Sequence, residues 1–97
     1  MLEKLFRLDN KIIVITGATG LLGRKHAEAV ACYGGTPILL DLSQQAVDDF
    51  ANVLNVKYKV GAVGFAIDIT DEKMIKSNVE RLIERFGKID GLVKNAA

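Results

Sequence analysis

The chain has one cysteine, one proline, one histidine and no tryptophan in 97 residues. A lone Cys32 excludes an internal disulfide and a cysteine-based zinc site, and it suits a reducing cytosol. The expected place for it is that of a small buried apolar residue. Neither sign of charge dominates: 13 basic and 12 acidic residues give a formal net charge of +1. Spread without runs, these charges offer no bulk attraction to a polyanion, so nucleic acid is not an expected partner. No apolar run approaches the roughly 18 residues of a membrane span. The start, MLEKLFRLDNK, is too charged for a secretory signal, so no membrane partner and a cytoplasmic location are expected. With 49% hydrophobic residues, a chain of this length holds one small core and one domain.

What is present alternates. Lys11 to Ile15 is a short β-branched run of the kind buried on both faces of a parallel sheet. Leu22, His26, Ala29, Val30 and Tyr33 recur at helical spacing, which would pack His26 on an apolar face, and Gly34-Gly35 stops that helix. Thr36 to Leu40 is a second buried strand, with Pro37 near its tolerant start. Ser43 is an N-cap for a helix whose face carries Val47, Phe50, Ala51 and Leu54. Ala62 to Ile67 forms a third strand. Thr70 is placed to cap a further helix, with Asp71 and Glu72 in its first turn and Ile75, Val79, Leu82, Ile83 and Phe86 on one face, ending at Gly87. Gly91 to Lys94 begins a fourth strand. The order βαβαβαβ with right-handed crossovers predicts an α/β, doubly wound parallel sheet of the Rossmann type, strand order 3-2-1-4.

The stretch TGATGLLG, Thr16 to Gly23, stands where the first strand hands over to the first helix. The free N–H groups and positive dipole end of a helix in that position form an anion site. Gly17 would permit the tight turn, Gly20 the approach of a pyrophosphate to the backbone, and Gly23 close packing of the helix on the sheet. Asp41 ends the second strand eighteen residues past Gly23, where a carboxylate can accept hydrogen bonds from both hydroxyls of an adenosine ribose. Its charge would repel a 2′-phosphate, and no Arg or Lys stands in the loop or in Leu42-Ser43-Gln44-Gln45. NAD is therefore favoured over NADP. The alternative for Asp41 is a cap on the following helix.

With these residues placed, the chain resembles the N-terminal part of a short-chain dehydrogenase/reductase. The segments that carry the likeness are FRLDNKIIVITGATGLLGR, LLDLS, DITDE and FGKIDGLVKNAA. The resemblance implies that Thr16, Gly17, Ala18, Thr19, Gly20, Leu21, Leu22 and Gly23 form the cofactor loop. It implies that Asp41 and Leu42 hold the adenosine ribose side and that Asp68 with Ile69 borders the adenine. Asn95, Ala96 and Ala97 match the family's Asn-Asn-Ala-Gly stretch, which stabilises the central strand and lines the nicotinamide ribose. The TGxxGxxG spacing is that of the extended subgroup, while FGKIDGLVKNAA is classical in style. Lys94 and Ala97 depart from the pattern, so contacts of the family residues at those two places do not transfer.

The same resemblance places the family's catalytic Ser and Tyr-x-x-x-Lys beyond the fourth strand. Tyr33 is followed four residues on by Pro37 and Tyr58 by Ala62, so no catalytic residue is assigned in this chain. The expectation is that residues 1–97 are the NAD(P)-binding half of such a domain, lacking the catalytic half. Small-molecule alcohol or carbonyl chemistry and a homo-oligomer are implied only for the full-length protein. A non-catalytic nucleotide-binding or interaction module, and part of a nucleotide-sugar epimerase or dehydratase, remain the alternatives.

Overall fold

A computed structural model describes residues 7–95. Ala96, expected at the cofactor, and Ala97 lie outside the described residues. The order is β1 (Ile12–Thr16), α1 (Leu21–Cys32), β2 (Thr36–Asp41), α2 (Gln44–Tyr58), β3 (Val63–Ala66), α3 (Glu72–Phe86) and β4 (Gly91–Val93). The strands form one parallel sheet in the order β3-β2-β1-β4. Val14 pairs with Ile38 on one side and Leu92 on the other.

Pro37 is buried in β2, an inner strand, and the register explains why it is tolerated. Thr36 N–H goes to Lys11 C=O, so the Pro37 nitrogen faces the β3 side, where pairing begins only at Ile38 with Val63. The missing donor costs no ladder bond. The continuous apolar run of β2 is explained by cover on both faces. Ile15 and Leu39 pack with Ala27, Val30 and Ala31 of α1 and Val47, Phe50, Ala51 and Leu54 of α2. Ile12, Val14, Ile38 and Leu40 pack with Leu82 of α3 on the opposite face. The sheet is thus doubly wound, as its sequence predicts.

The buried stripe of α1 differs from the expected one. It is Gly23, Ala27, Val30 and Ala31, whereas Leu22, His26, Ala29 and Tyr33 are exposed. Small residues let the helix axis come close to the sheet, and the bulkier side chains that define the sequence periodicity turn outward. His26 is accordingly a surface residue, and Cys32 is exposed rather than buried. The face of α2 is as expected, and the Ser43 hydroxyl accepts the Ala46 N–H to cap it. At α3 the cap is Asp71, not Thr70: its carboxylate accepts from Lys73 and Met74 N–H at 3.0 and 3.3 Å. Thr70 turns its hydroxyl back to Asp68 instead, at 2.6 Å. Of the expected α3 stripe only Leu82 is fully buried, beside Asn78, and Ile83 is exposed. Gly87, at φ 82°, ends the helix in the left-handed conformation.

Candidate functional site

Chain order reverses between β1 and β4, because β1 feeds β2 on one side while β4 arrives on the other. In an open α/β sheet the crevice beyond the carboxyl ends of the strands at such a reversal is where ligands sit. The loop Gly17 to Gly20 occupies that end of the sheet. Gly17 has φ +61°, a conformation L side chains rarely adopt. A Cβ on it would meet the Asn95 carbonyl oxygen at 3.1 Å, so its side chain would strike the end of β4 rather than the space above the loop. A Cβ on Gly20 would meet only Gly17 O at 3.4 Å, leaving open the ground over the amino end of α1. A Cβ on Gly23 would overlap Gly17 O, at 2.0 Å. Close packing at Gly23 is therefore against the loop itself.

The loop is tied down on three sides. Ala18 N–H donates to Leu40 C=O at 3.2 Å and Gly20 N–H to Gly17 C=O at 3.1 Å. Asn95 donates from its side chain to Thr16 C=O at 2.8 Å and from its backbone to the Thr16 hydroxyl at 3.2 Å. Thr16 and Asn95 thus lace the end of β1 to the segment that follows β4, at the crevice floor. No side chain caps α1 at Gly20, so its amino end keeps the donors and dipole that favour an anion.

Asp41 does not cap α2, a job that Ser43 performs. Its Oδ2 accepts from Thr19 N–H at 3.0 Å and from the Thr19 hydroxyl, and its Oδ1 accepts from Leu42 N–H at 2.8 Å. Partial burial pushes the carboxyl up, but the Thr19 hydroxyl and the two amides outweigh it and hold Asp41 below the ordinary aspartate value. The contact between Thr19 and Asp41 has no signal in the sequence, because the two stand 22 residues apart. Arg24 is a second residue that sequence reasoning passes over. It follows Gly23 on α1, donates from Nε back to Thr19 C=O at 2.9 Å and lies 4.8 Å over the Phe50 ring. A guanidinium is therefore held beside the loop after all, and the adjacent Arg24-Lys25 pair was the available signal.

Leu21 and Leu22 begin α1 with exposed side chains, and Leu42 is 72% exposed beyond Asp41. Asp68 is exposed and folds onto Thr70, which donates from N–H and hydroxyl to Oδ1. Ile69 lines an apolar groove of about 560 Å³ with Leu40, Ile75, Val79, Leu92 and Asn95. A more polar hollow of about 500 Å³, lined by Asp9, Gly34, Lys59 and Lys88, lies at the amino end of the sheet, away from the loop. No group of three or more His, Cys, Asp or Glu able to hold a metal occurs among the described residues, and no helix among them is long and apolar enough to cross a membrane. An anion at the start of α1, hydroxyl donors at Asp41 and a flat apolar group in the groove are what this end of the sheet can hold.

The chain matches the short chain dehydrogenase family over residues 11–97. It is 34% identical over 90 residues to meso-2,3-butanediol dehydrogenase of Serratia marcescens, covering 93% of this chain and 35% of that enzyme. It superposes with a TM-score of 0.89 on L-sorbose reductase of Gluconobacter frateurii complexed with NADPH and L-sorbose, at 28% identity, over 95% of this chain and 35% of that one. For NAD+-bound xylitol dehydrogenase the TM-score is 0.86 at 30% identity, over 93% of this chain and 34% of that one. The chain spans about a third of the length of these relatives. From sequence and architecture alike, it belongs to the short-chain dehydrogenase family.

Proposed function

We propose that this chain is the dinucleotide-binding part of an oxidoreductase that moves hydride between a nicotinamide and a carbinol or carbonyl carbon, with NAD preferred to NADP. The observation that carries the reading is one juxtaposition: the uncapped amino end of α1 and the Asp41 carboxylate meet across the glycine loop, joined through Thr19. The fit to a dinucleotide is chemical. The start of α1 takes the pyrophosphate, Asp41 with Leu42 takes the adenosine ribose, and Asp68 and Ile69 border the adenine. Thr16, Gly17, Ala18, Gly20, Leu21, Leu22 and Gly23 shape the loop, and Asn95 lies toward the nicotinamide ribose. The relatives solved with NADPH and with NAD+ support a dinucleotide of this kind.

The preference for NAD rests on charge. Asp41, ionised at neutral pH, repels a 2′-phosphate, while the nearby Arg24 directs its Nε–H to Thr19 C=O and lies over the Phe50 ring. Bound, the nicotinamide supplies the hydride acceptor or donor. Proton transfer in the family uses a Tyr with a Lys four residues on, and neither Tyr33 nor Tyr58 has one. The alcohol or carbonyl substrate, the catalytic residues and a homo-oligomer therefore belong to the reading of the full-length enzyme. A cytoplasmic location goes with it, supported by the single cysteine.

Calorimetric titration of the 97 residues with NAD, NADP and AMP, beside a turnover assay, tests this. Weak and similar affinities for NAD and AMP, weaker binding of NADP and no turnover are expected. NADP binding as tight as NAD overturns the preference, and binding of neither NAD nor AMP overturns the site. Hydride transfer by this chain would show that its catalytic groups have been misassigned.

A further inference from the structure

Asp41 has more donors than its proposed role leaves room for. An ionised carboxylate offers about four lone-pair directions, two on each oxygen. Oδ2 already accepts from both the Thr19 N–H and the Thr19 hydroxyl, and Oδ1 from Leu42 N–H. One direction, on Oδ1, is left. A vicinal diol held by one carboxylate needs two.

Two of the three donors are backbone amides, fixed by the loop and by the end of β2, and cannot withdraw without moving the chain. The third is a hydroxyl on a half-buried side chain, free to leave by rotation about one bond between staggered wells. We propose that the Thr19 hydroxyl is a placeholder for a ribose hydroxyl: it satisfies Asp41 Oδ2 in the free protein and rotates away when a vicinal diol arrives. Thr19 is then a positioning and specificity residue acting through Asp41. Only a ligand group that itself donates a hydrogen can take its place on Oδ2. A 2′-phosphate, which has no hydrogen to give at neutral pH, leaves the placeholder seated and meets the carboxylate as a charge. The inference rests on the adenosine-ribose role proposed above for Asp41.

The exchange lowers the net worth of the second ribose hydroxyl, because one hydrogen bond is given up for each one made. Thr19→Val removes the placeholder at nearly constant shape and keeps the backbone donor. The measurement is the ratio of affinities for AMP and for its 2′-deoxy and 3′-deoxy analogues, by titration of the parent, Thr19→Val and Thr19→Ser. In Thr19→Val the ratio against at least one deoxy analogue is expected to rise about three- to tenfold, and Thr19→Ser should keep the parent's ratios. A merely structural role would weaken all three nucleotides together, and unchanged or falling ratios overturn the proposal. A second measurement on the parent covers the case of a variant that does not fold. Three-bond couplings to the Thr19 methyl report its rotamer, expected to change with AMP but not with the analogue lacking the displacing hydroxyl. The same rotamer in the free and AMP-bound states overturns the proposal. If the parent binds neither AMP nor NAD, the ribose role of Asp41 fails and this inference with it, a result distinct from AMP binding with unaltered ratios.

Discussion

Gly23 is the glycine on which this loop depends most, although Gly17 has the rarer backbone. At Gly17 the obstacle to a side chain is its φ of +61° together with a tight contact to Asn95. At Gly23 the helical backbone is ordinary, and the obstacle is space. A methyl would sit 2.0 Å from Gly17 O and 2.8 Å from Ala18 Cα, both backbone atoms that cannot swing aside. Gly23→Ala must therefore push α1 off the loop, even though alanine is by about 1 kcal/mol the better helix former. Overpacking of this kind costs roughly 1–3 kcal/mol, and the expected outcome is a melting temperature lower by several degrees for a domain of this size. Loss of AMP affinity should accompany it. A variant as stable as the parent would mean that the helix and loop can separate freely.

At the scale of elements, the outer strand β3 is protected on its open side. β3 is an edge, yet the outward groups of its middle are met by a side chain. Gln44, the first residue of α2, donates from Nε2 to Gly64 C=O at 3.1 Å and accepts from Ala66 N–H at 2.9 Å. Its carboxamide thus stands where the backbone of a further strand would be, a local answer to the hazard of an open edge. Gln44→Ala should expose that edge. A stability loss of about 1 kcal/mol by urea unfolding is expected, together with more self-association than the parent shows in sedimentation at equal concentration. An unaltered urea midpoint would reduce the Gln44 contact to a surface coincidence. The caps argue at the same scale: Asp71 rather than Thr70 begins α3 because Thr70 is drawn back by Asp68, a competition between neighbours that a residue-by-residue preference does not register.

Across the whole molecule, carboxylates fasten both ends of the sheet. Asp90 accepts the Ile12 N–H at 2.8 Å where β1 begins, and pairs with Lys88 at 3.2 Å. That amide hydrogen bond, against some desolvation and with help from Lys88, keeps Asp90 below the ordinary aspartate value. Asp41 is held low at the opposite end, and Asp68 by the Thr70 hydroxyl and amide. A carboxyl whose folded pKa lies below its unfolded value of about 3.9 binds protons better when unfolded. Its stabilisation is complete above that value and is lost as pH falls through the lower, folded values. Melting temperature should therefore fall steadily as pH drops below about 4, and Asp90→Asn should flatten that fall. A melting temperature insensitive to acid would contradict the placement of these three groups.

What the sequence determined by itself was the alternation of strands and helices, the parallel order 3-2-1-4 and the position of a glycine loop before α1. These follow from local periodicity, from the chirality of crossovers and from glycines whose spacing needs a strand before them and a helix after. The α2 stripe and the Ser43 cap were legible for the same reason, being interactions within one helix. Tertiary structure alone decided which face of α1 is buried, since the close approach of the helix to the sheet and to the glycine loop selects Ala27 and Ala31 on the one side and Gly23 on the other over the bulkier Leu22 and Tyr33. It also decided which donors Asp41 accepts from. Thr19 reaches that carboxylate, and Arg24 returns to Thr19, only because the β1–β2 pairing sets the glycine loop beside the end of β2. Contacts between residues 22 apart in the chain leave no period to read, and so the crevice was visible in the sequence as a place and became a set of partners only in the fold.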